Sequence, residues 1–180
     1  MFGIVSILDH EHEARVKALW QEFREKFNMA GFAERPIPHF SYHVADGYDV
    51  QQLKPILARI AEQTDVFEVM TNGLALFTGA KPVLYIPVRL NTPLRALHQT
   101  IWEALPSGIA TAPNLYYQAE GWVPHITLAA DDMGHAHLPA VIQLLSPRDF
   151  RWRIRVDNVA LLSSEQGEIE RVKLRMSFLD

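Results

Sequence analysis

The sequence predicts an α+β fold: a bilobal, duplicated arrangement in which two antiparallel sheets face a central cleft and helices cover the outer faces. Strand and helix patterns alternate along the 180 residues, and both halves run through the same order of elements. The third observation is a shared offset, because His39 and His125 lie 86 positions apart and so do Asn72 and Asn158. An internal duplication explains this agreement, so we expect residues 1–180 to form one domain of two pseudo-symmetric lobes.

The first half opens with the patterns of a strand, a helix and a second strand. An apolar run at 1–8 predicts the first strand, and large apolar residues at helical spacing predict an amphipathic helix over 11–28. Pro36 and Pro38 then separate this helix from a strand at 39–45.

The first half continues with a second helix, which Asp49 is expected to cap. Pro55 is tolerable only near the first turn of a helix, so this helix is expected to start late or to kink. Its buried stripe is expected to consist of Leu53, Ile56, Leu57 and Ile60. Strand patterns follow at 66–71 and 74–77.

The second half repeats this order. Thr92 is expected to cap its first helix, with Pro93 at the first helical position. A long irregular stretch at 106–121 precedes the strand predicted at 123–129, and loops of that length are often functional. A hairpin turn is expected at 165–168. The remaining predicted elements are strands at 83–88, 123–129, 150–156, 159–163 and 169–178 and a helix at 138–145.

Composition narrows the class of protein. With 48% apolar residues the chain can build a core without disulfides, and the lack of cysteine excludes a thiolate nucleophile and a zinc–thiolate site. The net charge of −4 argues against a double-stranded DNA partner, which favours a basic excess. Neither a signal peptide nor a membrane span is indicated, and no Walker A or dinucleotide fingerprint is present. We therefore expect a soluble, cytoplasmic, monomeric protein that needs no cofactor.

Two short motifs have the same form, Pro38-His39-Phe40-Ser41 and Pro124-His125-Ile126-Thr127. Residues i and i+2 of a strand point to the same face. Each motif is therefore expected to present an imidazole beside a hydroxyl on one face and apolar side chains on the other. If the two lobes face each other, the cleft between them holds two imidazoles and two hydroxyls.

This set of groups suits cleavage of a phosphodiester, which requires a base to activate the attacking oxygen and an acid to protonate the leaving oxygen. Histidine can do both because it changes charge near neutral pH. The hydroxyls can donate hydrogen bonds to the non-bridging phosphate oxygens. A single His-x-Thr usually carries no function, whereas two copies, each after a proline and in corresponding places, indicate one. No metal is required in this scheme.

The paired motifs resemble those of the 2H phosphoesterase superfamily, which includes 2′-5′ RNA ligase-like proteins and cyclic nucleotide phosphodiesterases. Further likeness lies in Phe77-Thr78-Gly79 and in the final Ser177-Phe178-Leu179, so the resemblance covers most of the chain. It implies a bilobal fold and the hydrolysis or transesterification of a 2′,3′-cyclic or 2′-5′ phosphodiester. The substrate would be a small nucleotide or an RNA end.

The resemblance also implies roles for individual residues. By that likeness His39 and His125 are the acid–base pair, and Ser41 and Thr127 bind phosphate. Which histidine is the base depends on the direction of the reaction and stays open. The first motif carries serine where threonine is frequent, a variation that keeps the hydroxyl.

Other residues are candidate substrate contacts. His43 lies two positions beyond Ser41 and is expected either to contact substrate in the cleft or to be a polar residue on a wet face. Arg153 belongs to one of two runs, 151–156 and 171–176, in which basic and apolar residues alternate. Such faces are usually only solvated, although in the cleft they would attract phosphate. Four aromatic residues could stack on a base, although packing is their commoner role; these are Tyr85, Tyr116, Tyr117 and Trp122.

Two alternatives to an enzyme of this family remain open. A binding module of the same fold would capture a nucleotide or an RNA end without turnover. An unrelated metallohydrolase would use His135 and His137, which have the spacing of metal ligands, as have His10 and His12. No third ligand is indicated near either pair, so surface histidines are the expected interpretation and no metal site is predicted.

Overall fold

The computed structural model describes residues 1–29, 37–130, 133–163 and 171–180. It confirms the α+β class, with antiparallel sheets and helices packed against them. The helices are α1 (His10–Phe27), α2 (Val50–Ala61), α3 (Thr92–Ala104) and α4 (Leu138–Leu145). The strands are β1 (Phe2–Ile7), β2 (His39–Ala45), β3 (Gly47–Tyr48), β4 (Phe67–Met70), β5 (Ala75–Phe77), β6 (Val83–Pro87), β7 (Ala110–Thr111), β8 (His125–Ala129), β9 (Arg153–Val156), β10 (Asn158–Ser163) and β11 (Arg171–Ser177). Pro36 and the hairpin turn predicted at 165–168 lie outside the described residues.

Two sheets form the body of the fold. The first has the strand order β11-β10-β1-β2, and all of its pairs are antiparallel. In the second, β5, β6 and β8 pair in that order, and β4, which also pairs with β9, joins through a bridge between Thr71 and Val88. Each sheet therefore contains strands from both halves of the chain. The repeated pattern of elements does not predict this exchange, because long-range pairing decides which strands become neighbours.

Both motif strands contain a β-bulge at the same place. In β2 the pairing with β1 skips Tyr42, which directly follows Ser41. In β8 the pairing with β6 skips Leu128, which directly follows Thr127. Tyr42 and Leu128 are 86 positions apart, the same offset that relates the two motifs. A bulge reverses the alternation of the side chains that follow it, so the two strands depart from regular pairing in the same way.

Asp49 caps α2, as predicted. Its side chain accepts hydrogen bonds from the backbone N–H groups of Gln51 and Gln52. The helix begins at Val50 and continues through Pro55, so of the two expectations, a late start or a kink, the late start is wrong. The cap satisfies N–H groups of the first turn, and the buried stripe of α2 offsets the backbone hydrogen bond that the proline removes.

Asn91 caps α3, and the prediction of Thr92 is therefore wrong by one residue. The Asn91 side chain accepts a hydrogen bond from the Leu94 N–H at 3.0 Å. Thr92 and Pro93 occupy the first two helical positions. Backbone N–H groups there have no acceptor within the helix, so the lack of an N–H in proline removes no helical hydrogen bond. Asparagine is also the stronger N-cap of the two candidates.

The core lies between the helices and one face of each sheet. α2 packs against β10 and β11, α3 packs against β2, and α1 packs against β8. A smaller apolar cluster lies on the opposite face of the first sheet and consists of Val5, Ile7, Ala160 and Leu162. Of the stripe predicted for α2, Leu53, Leu57 and Ile60 are buried and Ile56 is partly buried. Among the described residues, no helix combines the length and the apolar character that crossing a membrane requires.

Candidate active site

The two motif strands lie next to each other. β2 is an edge strand of the first sheet and β8 is an edge strand of the second, and the two strands are in contact. The four motif side chains line one cavity: His39, Ser41, His125 and Thr127. The residues that alternate with them are fully buried on the other face of each strand: Phe40, Tyr42, Ile126 and Leu128. Strand alternation thus brings two imidazoles and two hydroxyls to a single cleft.

Both imidazoles are held in the same way. The Nδ1–H of His39 donates to the Ile37 carbonyl at 2.8 Å, and the Nδ1–H of His125 donates to the Val123 carbonyl at 2.6 Å. A carbonyl oxygen can only accept, so Nδ1 carries the hydrogen of each neutral ring and Nε2 is its basic nitrogen. Each contact joins the histidine to the residue two positions earlier, so both rings are oriented by their own strand.

Burial is the main influence on the pKa of His125. Removal from water lowers the pKa of this imidazole, and the charge of His39 lowers it further, while the Val123 carbonyl opposes the shift. Both rings line the same cavity, so the charge of one acts on the other. His125 is therefore predominantly neutral at pH 7, with Nε2 able to accept a proton.

The two hydroxyls are free to donate to a ligand. Ser41 and Thr127 are half-buried, and within the described part of the chain neither hydroxyl has a hydrogen-bond partner. A half-buried hydroxyl without a partner is costly unless water or a ligand supplies one. Both residues line the cavity, so a ligand bound in the cavity can supply this partner.

Aromatic side chains surround His125. Phe77 stacks on Tyr85 with the ring centres 4.1 Å apart, and these rings lie 5.0 Å and 5.1 Å from the imidazole. Tyr116 meets the edge of Phe77 at 6.0 Å and is 47% exposed. Tyr117 lines the cavity itself. Tyr117 therefore lies in the wall of the cavity, the exposed Tyr116 lies beside Phe77, and the buried Tyr85 packs against His125.

Trp122 lies behind the first motif strand and does not line the cavity of the motif residues, so its expected contact with a substrate there is wrong. Its Nε1–H donates to the Ser41 carbonyl at 2.8 Å, and the Nε1–H of Trp102 donates to the Tyr42 carbonyl at 3.1 Å. Trp122 also stacks on His98 with the ring centres 3.8 Å apart. The two indoles satisfy adjacent carbonyls at the bulge, so Trp122 supports Ser41 from the side away from the cavity of the motif residues.

His43 does not face the cleft, because the bulge at Tyr42 shifts the alternation by one residue. Val44 lines the cavity in its place. His43 is 3% exposed, its ring centre lies 4.4 Å from that of Trp102, and its Nδ1 is hydrogen-bonded to the Tyr48 hydroxyl. The expectation that this histidine contacts substrate, or lies on a wet face, is therefore wrong.

The burial of His43 predicts a loss of stability in acid. Burial, and to a smaller extent the charge of nearby His98, lowers the pKa of His43 to about 4 from an ordinary value of 6.5. Between these two values the unfolded chain binds the proton more readily than the folded protein. We expect the free energy of unfolding to fall by about 2 kcal/mol as the pH is lowered from 6.5 to 4. Urea titrations across this range measure the slope, which a His43→Gln variant should reduce; an equal slope in both proteins would contradict the prediction.

Arg153 lies outside the cleft, and its expected contact with substrate is wrong. Its side chain is 69% exposed and forms an ion pair with Glu68 of β4 at 3.7 Å. β9 pairs with β4, whereas the motif strand β8 pairs with β6. Arg151 and Arg155 are likewise paired, with Asp149 and Asp180 respectively. This basic face is therefore a solvated surface of the sheet.

Neither histidine pair with metal-ligand spacing meets a third ligand in the described part of the chain, where no three His, Asp or Glu side chains converge. His12 is buried, against the expectation of a surface position. Its Nδ1 is hydrogen-bonded to the carboxylate of Asp9, the N-cap of α1, at 2.7 Å. His10 and His135 are exposed, as expected.

Two further residues of the site, Phe77 and Gly3, were not predicted. Phe77 belongs to the Phe77-Thr78-Gly79 segment, and its place beside His125 depends on the pairing of β5 with β6, which the segment alone does not reveal. Gly3 lines the cavity from the interior of β1. The sequence feature that could have identified Gly3 is its residue type, because a glycine inside a strand often marks the close approach of a ligand or of another backbone.

Fold and sequence together define the class of this protein. The family model of the 2'-5' RNA ligase superfamily matches residues 9–168. The chain belongs to this superfamily, the 2H phosphoesterases, and the resemblance seen in its motifs is confirmed. Membership supports a phosphoesterase activity of the 2'-5' RNA ligase type.

Individual proteins are similar to this chain in sequence or in fold. A protein of Geobacillus sp. (strain WCH70) that carries the name phosphoesterase is 28% identical over 151 residues, which is 82% of this chain and 81% of that protein. The crystal structure of TT0787 of Thermus thermophilus matches with a TM-score of 0.65 at 19% identity, over 98% of this chain and 97% of that chain. E. coli LigT complexed with 3'-AMP matches with a TM-score of 0.60 at 16% identity, over 99% and 98% of the two chains. At these identities the two structures establish the fold.

Proposed function

We propose that this protein is a metal-independent phosphoesterase that hydrolyses or transesterifies a 2′,3′-cyclic or 2′-5′ phosphodiester of a nucleotide or an RNA end. The observation that supports the proposal is the convergence of two histidines and two hydroxyls on one cavity: His39, Ser41, His125 and Thr127. Membership of the 2'-5' RNA ligase superfamily supports the same class of chemistry.

In this proposal the reacting phosphate lies between the two motif strands. Ser41 and Thr127 donate hydrogen bonds to its non-bridging oxygens, where the negative charge is concentrated. One imidazole accepts the proton of the attacking water or ribose hydroxyl as that oxygen bonds to phosphorus. The other imidazole, initially protonated, gives its proton to the oxygen whose bond to phosphorus breaks. The two rings end with exchanged protonation states, which solvent restores.

We assign the role of base in hydrolysis to His125. Burial lowers the pKa of its imidazole, so the neutral form predominates at pH 7. The Val123 carbonyl holds the hydrogen on Nδ1, which leaves Nε2 as the accepting atom. His39 on the neighbouring strand then protonates the leaving oxygen. In the reverse direction the two roles exchange.

In this proposal a small nucleotide or the end of an RNA chain occupies the rest of the cavity. We propose that Tyr117, which lines the cavity, and the exposed Tyr116 stack on the base, the interaction that single-stranded RNA recognition favours. E. coli LigT was crystallised in complexes with 3'-AMP and with phosphate, ligands of the same chemistry. All four motif side chains line one cavity of a single chain, and we propose that the protein acts as a monomer and without a cofactor.

The proposal is tested with a nucleoside 2′,3′-cyclic phosphate and with RNA that ends in this group, each in the presence and absence of EDTA. We expect a phosphomonoester product, detected by phosphorus NMR, at a rate that the chelator does not change. Loss of all turnover on adding EDTA would contradict metal independence. Calorimetric binding of the ligand without its conversion would instead identify a module that captures nucleotide or RNA ends.

A further inference from the structure

A second cavity lies behind the first motif strand, where Trp122 forms part of its wall. It has a volume of about 530 Å³, which suits a small molecule, and no described residue lines both this cavity and the cavity of the motif residues. One wall comes from the segment 118–122, and the other is a stripe of α3 whose residues follow helical spacing. The α3 stripe consists of Arg95, His98, Gln99, Trp102 and Glu103.

His98 offers this second cavity a hydrogen-bond acceptor that the protein does not use. The residue is 3% exposed, and its Nε2–H donates to the Tyr117 carbonyl at 2.8 Å, so Nδ1 is the accepting atom of the neutral ring. Burial lowers the pKa of His98, and the neutral ring therefore predominates at pH 7. Within the described residues Nδ1 has no hydrogen-bond partner, and this atom is not sealed from solvent. Since the ring lines the second cavity, an N–H group of a ligand there can supply the missing hydrogen bond.

The charged groups of the second cavity favour a positive ligand. Among the described lining residues two carboxylates, Glu103 and Glu120, outnumber the single guanidinium of Arg95. Glu103 accepts a hydrogen bond from the Gln99 Nε2 at 2.7 Å, whereas the carboxylate of Glu120 has no partner within the described part of the chain. Arg95 lies eight residues before Glu103, roughly 12 Å along the axis of α3, so the positive group is at the opposite end of the stripe. The other end therefore combines negative charge with open acceptors.

Two tryptophans supply aromatic surface to the second cavity. The indole N–H of Trp102 donates to the Tyr42 carbonyl, so the half-buried Trp102 presents the rest of its ring to the cavity. Trp122 stacks on His98 with the ring centres 3.8 Å apart. Tryptophan rings attract cations, and a planar guanidinium group stacks flat on them. The lining thus combines aromatic surface, a neutral acceptor and a free carboxylate.

We propose that the second cavity binds a small organic cation that carries a guanidinium group. The planar cation lies on the ring of Trp102, donates an N–H to the Nδ1 of His98 and has the carboxylate of Glu120 as its counter-ion. Trp122 in the same wall donates to the Ser41 carbonyl, so the bound cation lies directly behind a motif residue. The inference does not depend on the proposed phosphoesterase function, because the two cavities have no described lining residue in common.

The test uses two probes of equal shape, n-butylguanidinium and the neutral n-butylurea, at low ionic strength. Binding is measured by titration of the full chain at pH 7.5 and followed through the NMR signals of the indole N–H groups. We expect a dissociation constant on the order of 1 mM for so small a cation, and binding of the urea that is weaker by about 10-fold or more. Equal affinity for both probes would overturn the assignment of a cation.

The four tryptophans of the chain report where the probe binds. Trp102 and Trp122 line the second cavity, Trp20 lines the cavity of the motif residues, and Trp152 lines neither. We expect butylguanidinium to shift the indole signals of Trp102 and Trp122 and to leave those of Trp20 and Trp152 in place. Absence of any shift at Trp102 and Trp122, or a shift at Trp20 alone, would overturn the proposed site.

Three variants complete the experiment. Glu120→Lys reverses an exposed charge of the cavity and should weaken the binding of butylguanidinium by about five-fold or more. Glu62→Lys makes the same change at the end of α2, where the residue is exposed and lines neither cavity, and it should keep the affinity of the unaltered protein. His125→Ala should also keep this affinity, since His125 lines the other cavity. Unchanged affinity in Glu120→Lys, or a loss in His125→Ala, would overturn the proposal.

Discussion

Replacing His125 by alanine is expected to lower kcat/KM for a nucleoside 2′,3′-cyclic phosphate by about 10²–10⁴-fold, the usual contribution of a positioned acid or base. The variant removes the Nε2 that we propose to accept the proton of the attacking oxygen. The ring is half-buried and its hydrogen bond within the described residues is to the carbonyl of Val123, so its loss should disturb the fold little. Steady-state kinetics with this substrate measure the effect.

Comparison with other variants makes this prediction specific. His39→Ala should show a loss of similar size, and the double variant should lose less than the product of the two, because the histidines act as a unit. His10→Ala, which removes an exposed imidazole at the start of α1, should retain full activity. Undiminished turnover by His125→Ala would remove that residue from the proposed mechanism.

Replacing Asn158 by alanine is expected to destabilise the protein by about 2–4 kcal/mol, since it leaves two buried backbone groups without partners. The Asn158 side chain is fully buried and pairs with both backbone groups of one residue at the end of β1. Its Oδ1 accepts from the Ile7 N–H at 3.0 Å, and its Nδ2 donates to the Ile7 carbonyl at 2.9 Å. Ile7 in turn pairs with His39, so the loss also loosens the first motif strand.

The internal repeat supplies a matched control for Asn158. Asn72 lies 86 positions earlier, and its backbone N–H donates to the Pro87 carbonyl at the end of β6. Asn158 contacts the end of β1 in the corresponding place, but through its side chain. The side chain of Asn72 is exposed, so Asn72→Ala should change the free energy of unfolding by less than about 0.5 kcal/mol. Chemical denaturation of both variants measures the difference. Equal stability of the two variants would show that the buried amide contributes nothing.

Several features of the fold and the site follow from local patterns. Helical spacing of apolar residues locates α1 and α2, and strand alternation places an imidazole and a hydroxyl on one face of each motif strand. The shared offset of 86 relates the motifs and also the two bulges, which only the paired strands reveal. These predictions succeed because periodicity within one element depends on the chain itself and not on its neighbours.

Predictions that depended on contacts between different elements were less successful. His43 was assigned to the cleft by extending the alternation beyond Ser41, but the bulge at Tyr42 turns it toward Trp102. Arg153 and Trp122 have residue types that suit a ligand, yet ion pairing and a hydrogen bond to β2 place them elsewhere. A bulge and a distant partner leave no periodic signal in the sequence, so neither could be foreseen.

The amino-acid sequence by itself determined the class of fold, the duplicated order of elements and the two motifs, because each of these is encoded in residues close together along the chain. Only the tertiary structure decided that both sheets take strands from both halves, that β2 and β8 lie side by side, and that Gly3 opens the cavity next to Ser41. These features depend on which distant strands pair and in which register, and that choice is made by packing of the whole core.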